Sequence, residues 1–179
     1  MDKIIPRAMF YNIFTGYPYD IPNSKMVKVL KGSCPNIVLY NAAVMSAIGL
    51  RVGMDYTKWG SYPSGHNWNV LFLENDKPKH FENVLGKFVE DYVPVYKPAK
   101  IFRKTFGRQK INISYGTEDV PENLLDDHRL DVTQEYTRVF NIKVPLCYPS
   151  ASKKKYAVIC TFGRNNWIAQ DWGKIKGNK

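Results

Sequence analysis

Residues 32–49 read GSCPNIVLYNAAVMSAIG, and this stretch decides the fold of the chain. Proline is favoured at the first position of a helix, where its missing N–H leaves no bond unmade, so Pro35 predicts a helix start. Apolar residues then recur at helical spacing, and Gly49 is typical of a residue that ends a helix. The sequence therefore predicts a buried helix over residues 35–48, with Cys34 immediately before it.

Cys34 is a candidate nucleophile because of this position. A thiol at the start of a helix lies at the positive end of the helix dipole, beside backbone N–H groups that lack partners within the helix. Both features stabilise the thiolate, which is the nucleophilic form. The same N–H groups can bind the oxyanion of a tetrahedral intermediate, and Gly32 lets the backbone approach a substrate closely. The competing interpretation is a small cysteine buried in the core.

His66 is the second candidate for chemistry, in the run Gly65-His66-Asn67-Trp68. Residues 67–73 alternate along the chain and predict a strand, with residues 50–59 as a preceding strand and residues 79–82 as the returning arm of a hairpin. A histidine at the start of such a strand can project toward the helix N-terminus. There it would take the thiol proton and later protonate a leaving group.

An orienting partner for His66 is expected on the neighbouring strand. If the predicted hairpin forms, the residues opposite the histidine lie near Glu82 or Asn83. Glu82 is the better electrostatic partner, whereas Asn83 can hold the ring as a neutral amide. The predicted triad is Cys34, His66 and Glu82, with Asn83 as the alternative third member.

Aromatic side chains near His66 are candidates for the walls of a substrate cleft. Trp59 and Tyr62 precede the histidine and are expected in the loop between the two predicted strands. Trp68 follows the histidine and either walls the cleft or packs in the core, and core packing is the favoured interpretation.

Two further regions carry weaker structural signals. Residues 24–30 are compatible with a short helix, and residues 130–146 read as strand-like. Residues 155–172 also read as strand-like, and Phe162 to Trp167 has the residues of a turn that joins two strands.

The predicted fold class is α+β. A change in composition near residue 98 divides the chain into a core over residues 1–98 and a β-rich C-terminal extension over residues 99–179.

The composition is that of a folded protein with a basic surface. The 179 residues include 26 Lys and Arg against 16 Asp and Glu, for a formal net charge of +10. Such a charge favours encounters with anionic partners. The basic clusters lack regularly interleaved aromatic residues, however, so nucleic acid is not expected as a partner, and no segment reaches the length of a membrane span. The sequence makes no prediction of oligomeric state.

The chain has three cysteines, Cys34, Cys147 and Cys160. An odd and small number of cysteines argues against a disulfide framework. Cys160 lies in an apolar run and is expected in the core. No spacing of cysteine and histidine matches a zinc site and no glycine-rich phosphate loop occurs, so neither a metal nor a cofactor is expected. The N-terminus lacks the pattern of a signal peptide. The sequence does not assign a cellular compartment, and an extracytoplasmic one is compatible with it if the chain is a piece of a longer bacterial protein.

The two motifs together resemble the transglutaminase-like superfamily. Its pattern is G-x-C before an apolar helix, then a strand, then G-H-x-W on a second strand, and residues 32–34 and 65–68 match it. Residues 99–105 and 131–136 are also similar to the version in Bacteroidetes-type bacteria, so the resemblance covers about residues 28–175.

The resemblance implies a papain-like core, in which a nucleophile helix packs on an antiparallel sheet and a Cys-His-Asp triad acts without a cofactor. Members are peptidases, amidases or protein cross-linkers that act on peptides or proteins. Cys34 and His66 occupy the matching motif positions. The usual Asp is replaced by Glu82 or Asn83, and Ser46 stands where many members have Arg. Because some members have lost catalysis, the alternative is an inactive module that binds peptide or glycan.

Overall fold

The structure is a computed structural model, which describes residues 9–10, 21–60, 64–74, 77–82, 89–110, 120–147, 154–162 and 166–176. Helices and antiparallel strands occur together, so the α+β prediction is confirmed. The chain forms two compact units. The first comprises Met1–Thr57 and Gly65–Val95, and the second comprises Lys58–Ser64 and Tyr96–Lys179. The division predicted near residue 98 lies close to the change at Val95, but nothing in the sequence assigned residues 58–64 to the second unit.

In chain order, the elements that begin in the first unit are β1 (Met9–Phe10), α1 (Asn23–Val29), β2 (Lys31–Gly32), α2 (Cys34–Ala47), β3 (Arg51–Trp59), β4 (Gly65–Phe72), β5 (Lys79–Glu82) and β6 (Val89–Glu90). The last four strands lie side by side in the order β6-β5-β4-β3. Strand β5 runs antiparallel to both β4 and β6, and β1 pairs with β2 in a separate parallel pair. The predicted helix, the hairpin of β4 and β5, and the short helix α1 are thus confirmed.

Helix α2 begins at Cys34, one residue earlier than the sequence predicts. The N–H and the hydroxyl of Ser33 both donate to Oδ1 of Asn36, at 3.2 and 2.6 Å, and this contact folds the chain into the first turn. The helix ends at Ala47, and Gly49 follows with a φ of 85°, a left-handed conformation that glycine adopts without strain. Cys34 is therefore the first residue of the helix.

Two apolar clusters hold α2 in place. The first half of the helix packs with α1 and β3 in a cluster of Met26, Ile37, Val38, Tyr40 and Met54. The second half packs on β3, β4 and β5 in a cluster of Met45, Val52, Leu71 and Phe81. Burial of apolar surface on this scale is the main force that fixes a helix on a sheet.

A buried side-chain amide fixes the register of the helix against the sheet. Nδ2 of Asn69 on β4 donates to the carbonyl oxygen of Val38 in α2, at 3.0 Å, and to that of Gly53 in β3, at 3.2 Å. Its Oδ1 accepts from Nδ2 of Asn41, at 3.3 Å. Asn41 and Asn69 are almost completely buried, so these bonds form where water cannot replace them. Unlike apolar contacts, they are satisfied at only one register of helix against sheet.

The second unit is built mainly from strands. In chain order its elements are β7 (Pro98–Lys104), a 3-10 turn (Glu122–Leu124), β8 (Arg129–Asp131), α3 (Thr133–Tyr136), β9 (Tyr156–Phe162) and β10 (Trp167–Lys174). β7 and β8 are antiparallel, and so are β9 and β10. The predicted pairing of these two strands is confirmed, because Phe162 and Trp167 are partners across β9 and β10, whereas the predicted turn at residues 163–165 lies outside the described residues.

Ion pairs connect the elements of the second unit. Nζ of Lys100 on β7 lies 2.6 Å from Asp131 at the end of β8 and 2.8 Å from Asp171 on β10. Arg103, also on β7, is buried and makes a two-pronged contact with the carboxylate of Glu135 in α3, at 3.1 and 2.7 Å. A planar guanidinium suits such a geometry, and a buried arginine requires such a partner.

The strand prediction over residues 130–146 is wrong beyond β8. Oδ1 of Asp131 accepts from the N–H of Thr133 at 3.0 Å, and this local bond turns the chain into α3. The Thr133 hydroxyl oxygen also accepts from the N–H of Ile101 on β7, at 3.0 Å, and so takes the place of a strand partner. After α3, residues 137–147 form no helix or strand. Within the described residues, no helix has the length and apolar character needed to cross a membrane.

The Asn69→Ala variant should lower the free energy of unfolding by about 2–3 kcal/mol, since it removes two donated bonds and one accepted bond from a dry site. Chemical denaturation would measure the loss. The matched control is Asn67→Ala on the same strand, where the side chain is only half-buried. Equal losses for the two variants would show that the Asn69 amide does not clamp α2 to the sheet.

Candidate active site

The start of α2 places Cys34 directly after β2. Gly32, the last residue of β2, is buried beneath the first turn of the helix, where a Cβ would lie 2.9 Å from Cβ of Asn36 and 3.3 Å from the Met26 sulfur. The glycine is therefore needed for packing under the helix start. A role for Gly32 in the close approach of a substrate stays a prediction. The Cys34 side chain itself is partly exposed.

His66 is the second residue of β4, and its side chain hydrogen-bonds to the side chain of Cys34. The structure thus brings together the two residues that the motifs singled out, although 31 residues separate them in the chain. The His66 side chain is 18% exposed, so it is accessible from solvent on one side and covered on the other.

Glu82 ends β5 and lies next to the same imidazole. The register of β4 and β5 pairs Asn69 with Phe81, so Glu82 falls opposite Trp68 and shares its face of the sheet with His66. Oε1 of Glu82 lies 3.7 Å from Nε2 of His66, within the range of an ion pair, and the carboxylate is 8% exposed. Asn83, the alternative third member, lies outside the described residues.

The electrostatics of His66 follow from these two neighbours. Burial lowers the pKa of His66, but hydrogen bonds to the side chains of Cys34 and Glu82, together with the negative charges of both, raise it to about 9. The ordinary value is 6.5, so the imidazole carries a proton at neutral pH. The site holds a cation between two groups that are anionic when ionised.

Aromatic rings cover the inner side of this arrangement. Trp68 is completely buried, and its ring is stacked at 27° to that of His66 with 6.1 Å between centroids. The Tyr92 ring lies 5.8 Å from that of His66 and 5.3 Å from that of Trp68. Trp68 therefore occupies the core position that the sequence analysis favoured for it, beneath the imidazole.

Tyr92 is the residue of the site that the sequence analysis missed. It lies in a stretch with no strand or helix periodicity, 26 residues after His66, so no local pattern connects it with the motifs. Burial, with added contributions from the charges of Glu82 and Cys34, raises its pKa to about 12, against a smaller opposing contribution from a hydrogen bond to the Val95 backbone. The hydroxyl of Tyr92 is therefore neutral throughout the physiological range.

Trp59, a predicted cleft residue that was expected in the loop between the two strands, is instead the last residue of β3. Trp59 is buried, and its ring packs edge-on against that of Tyr96 with 5.5 Å between centroids. The backbone N–H of Trp59 donates to the carbonyl oxygen of Ser64, at 3.1 Å. Tyr62 lies outside the described residues. A role of Trp59 and Tyr62 in a cleft stays a prediction.

In the described parts of the chain, no three residues among His, Cys, Asp and Glu are grouped in a way that could hold a metal ion. Cys147 is exposed, and Cys160 is half-buried against the apolar cluster that includes Leu124 and Ala169. Of the three thiols, Cys34 is the one with a hydrogen bond to an imidazole.

Comparison of the chain with family models, with curated proteins and with solved structures yields no match.

The contribution of His66 to stability should depend on pH. Its pKa is raised from 6.5 to about 9 on folding, so its stabilising effect is complete below pH 6.5 and is lost as the pH rises through 9. Between pH 6 and pH 10, the difference in unfolding free energy between the native chain and His66→Gln should shrink by an amount on the order of 2 kcal/mol. Chemical denaturation across this range would measure it. A constant difference would contradict the raised pKa.

Proposed function

We propose that the first unit is a cysteine-dependent catalyst of the transglutaminase-like type, which transfers or hydrolyses acyl groups at peptide or amide bonds. Cys34 is the nucleophile, His66 the acid and base, and Glu82 the residue that orients the imidazole. The observation that carries this proposal is a single imidazole in contact with a thiol at a helix start and with a buried carboxylate. Thiol, base and orienting group are the three parts that this chemistry requires.

The overall arrangement of the first unit supports a papain-like core as its finer fold description. A helix that begins with the candidate nucleophile packs on a sheet, and the second strand of the β3–β4 pair carries the histidine. The strand next to it, β5, supplies the carboxylate. This is the order of elements and functional groups that the resemblance of the two motifs implies.

In the first half of the proposed reaction, the Cys34 proton resides on His66, and the resulting thiolate attacks the carbonyl carbon of the amide. The N–H of Cys34, at the start of α2, is the candidate donor to the oxyanion, because Pro35 has no N–H and that of Ile37 donates to Ser33. The C–N bond then breaks as the imidazolium protonates the leaving nitrogen. The products are a thioester on Cys34, a free amine and neutral His66.

In the second half, neutral His66 removes a proton from water or from an acceptor amine, which attacks the thioester carbonyl. The C–S bond breaks and the sulfur leaves as the thiolate, again paired with the imidazolium. Water gives a carboxylic acid, and an amine gives a new amide. Glu82 stabilises the imidazolium in each half through its contact with Nε2, so we assign the proton exchange with sulfur to Nδ1.

Cys34 should react with iodoacetamide faster than Cys147 in the same sample at pH 6, by a factor on the order of 10 or more. The reason is the positive charge of the adjacent imidazolium, which attracts a negative sulfur, whereas Cys147 is simply exposed. Peptide mass spectrometry after short labelling times would give both rates. In His66→Gln the advantage of Cys34 should disappear.

Equal rates at the two thiols in the native chain would rule out an activated nucleophile. The chain would then fit the alternative, an inactive module that binds a peptide or glycan with Cys34 as a passive residue. In that case Cys34→Ala would leave binding unchanged.

The variant Glu82→Gln tests the orienting group. It keeps the shape of the side chain but removes the charge that stabilises the imidazolium, so the alkylation rate of Cys34 at pH 6 should fall on the order of 10-fold. The matched control is Glu90→Gln on the neighbouring strand β6, where the carboxylate is exposed. If both variants label Cys34 at the native rate, Glu82 is not the third member of the triad.

A further inference from the structure

Tyr92 is held at three points, and the proposed triad does not explain why. It follows β6 after Asp91, whose φ of 50° is left-handed and turns the chain. The N–H of Tyr92 donates to the carbonyl oxygen of His80, at 3.0 Å, and its hydroxyl bonds to the backbone of Val95. The ring is only 9% exposed. Main chain, ring and hydroxyl are therefore all fixed.

The ring is fixed against the imidazole of His66. The centroids of the two rings are 5.8 Å apart, and that of Trp68 lies 5.3 Å from the Tyr92 centroid. Trp68 is completely buried and stacks on the same imidazole, so neither aromatic ring can move aside without opening the core. His66 thus contacts two rigid aromatic rings as well as the two ionisable groups.

An aromatic ring next to an imidazolium acts in two ways. Its π-electrons attract the cation, and its bulk excludes water, which strengthens the attraction between the cation and nearby negative groups. Packing against the ring also restricts rotation of the imidazole about its bond to Cβ. We propose that Tyr92 is a positioning residue, whose ring holds the His66 imidazolium between Cys34 and Glu82.

The hydroxyl of Tyr92 has a separate task in this proposal. Its bond to the Val95 backbone anchors the side chain, and with a pKa of about 12 it stays neutral while His66 titrates near 9. It therefore adds no charge to the site. The ring, which phenylalanine shares, is the part that acts on the imidazole. The proposal rests on the proposed function only in naming His66 as the acid and base of the site.

An NMR titration of the His66 imidazole in the whole chain separates ring from hydroxyl. Tyr92→Phe keeps the ring, and the His66 pKa should stay within about 0.3 of the native value. Tyr92→Met keeps apolar volume without the ring, and the pKa should fall by about half a unit to one unit. The matched control is Tyr156→Met, which removes a ring that packs on Trp172 in the second unit, with 5.2 Å between centroids. It should leave the His66 pKa unchanged.

Two results would overturn the proposal: a native His66 pKa in Tyr92→Met, or an equal fall in Tyr92→Phe and Tyr92→Met. If Tyr92→Met does not fold, Tyr92→Leu provides a second variant without the ring, and the same criteria apply to it. The titration needs a folded chain but no turnover. A slowly labelled Cys34 would therefore count against the proposed function, while a shifted His66 pKa would still support the role of Tyr92.

Discussion

The hydrogen bonds of the buried Asn69 amide set the geometry of the first unit. Asn69 lies three residues along β4 from His66, and the carbonyl that it bonds, that of Val38, lies one helical turn from Cys34. Apolar packing alone leaves a helix free to slide or rotate by small amounts, because methyl groups accept many neighbours. The amide accepts only one register, so the bond that joins α2 to the sheet also sets the approach of sulfur to imidazole.

The site that results concentrates opposing charges in a small, partly buried volume. Desolvation opposes the imidazolium of His66, yet its pKa is raised to about 9, so the attraction of Cys34 and Glu82 outweighs burial. Attraction prevails because both groups lie next to the imidazole, on which the rings of Trp68 and Tyr92 also pack.

In the second unit, ion pairs connect the secondary-structure elements. Its strands are joined through Lys100, which pairs with carboxylates on β8 and β10, and through Arg103, which pairs with α3. Ion pairs form only when the two side chains have the right geometry. They therefore fix how the elements pack around a small apolar cluster. Hydrogen bonds of two polar side chains explain why the strand predicted over residues 130–146 ends early. Residues 130–146 have strand-like composition, but the polar side chains of Asp131 and Thr133 satisfy backbone groups locally, which ends β8 and starts α3.

The sequence alone determined the elements whose signals are local. Pro35 and Gly49 mark the ends of a helix through the rigidity of one and the conformational freedom of the other. Alternation marks β4, and an apolar run marks β9. The pairing of Cys34 with His66 was also predictable, since each carries its own motif. Glu82 remained one of two alternatives, because a shift of one residue in strand register exchanges the face of the sheet that each side chain occupies.

The tertiary structure decided the contacts between residues that lie far apart in the sequence. Tyr92 reaches His66 only because β6 pairs with β5 and the turn at Asp91 directs the chain back across the sheet. The role of Asn69 likewise depends on which backbone carbonyls come within reach. Polar residues at buried positions of α2 and β4 were a visible signal that hydrogen-bond partners must exist. Which groups serve as those partners depends on the distances between elements. The sequence of a single element does not specify these distances.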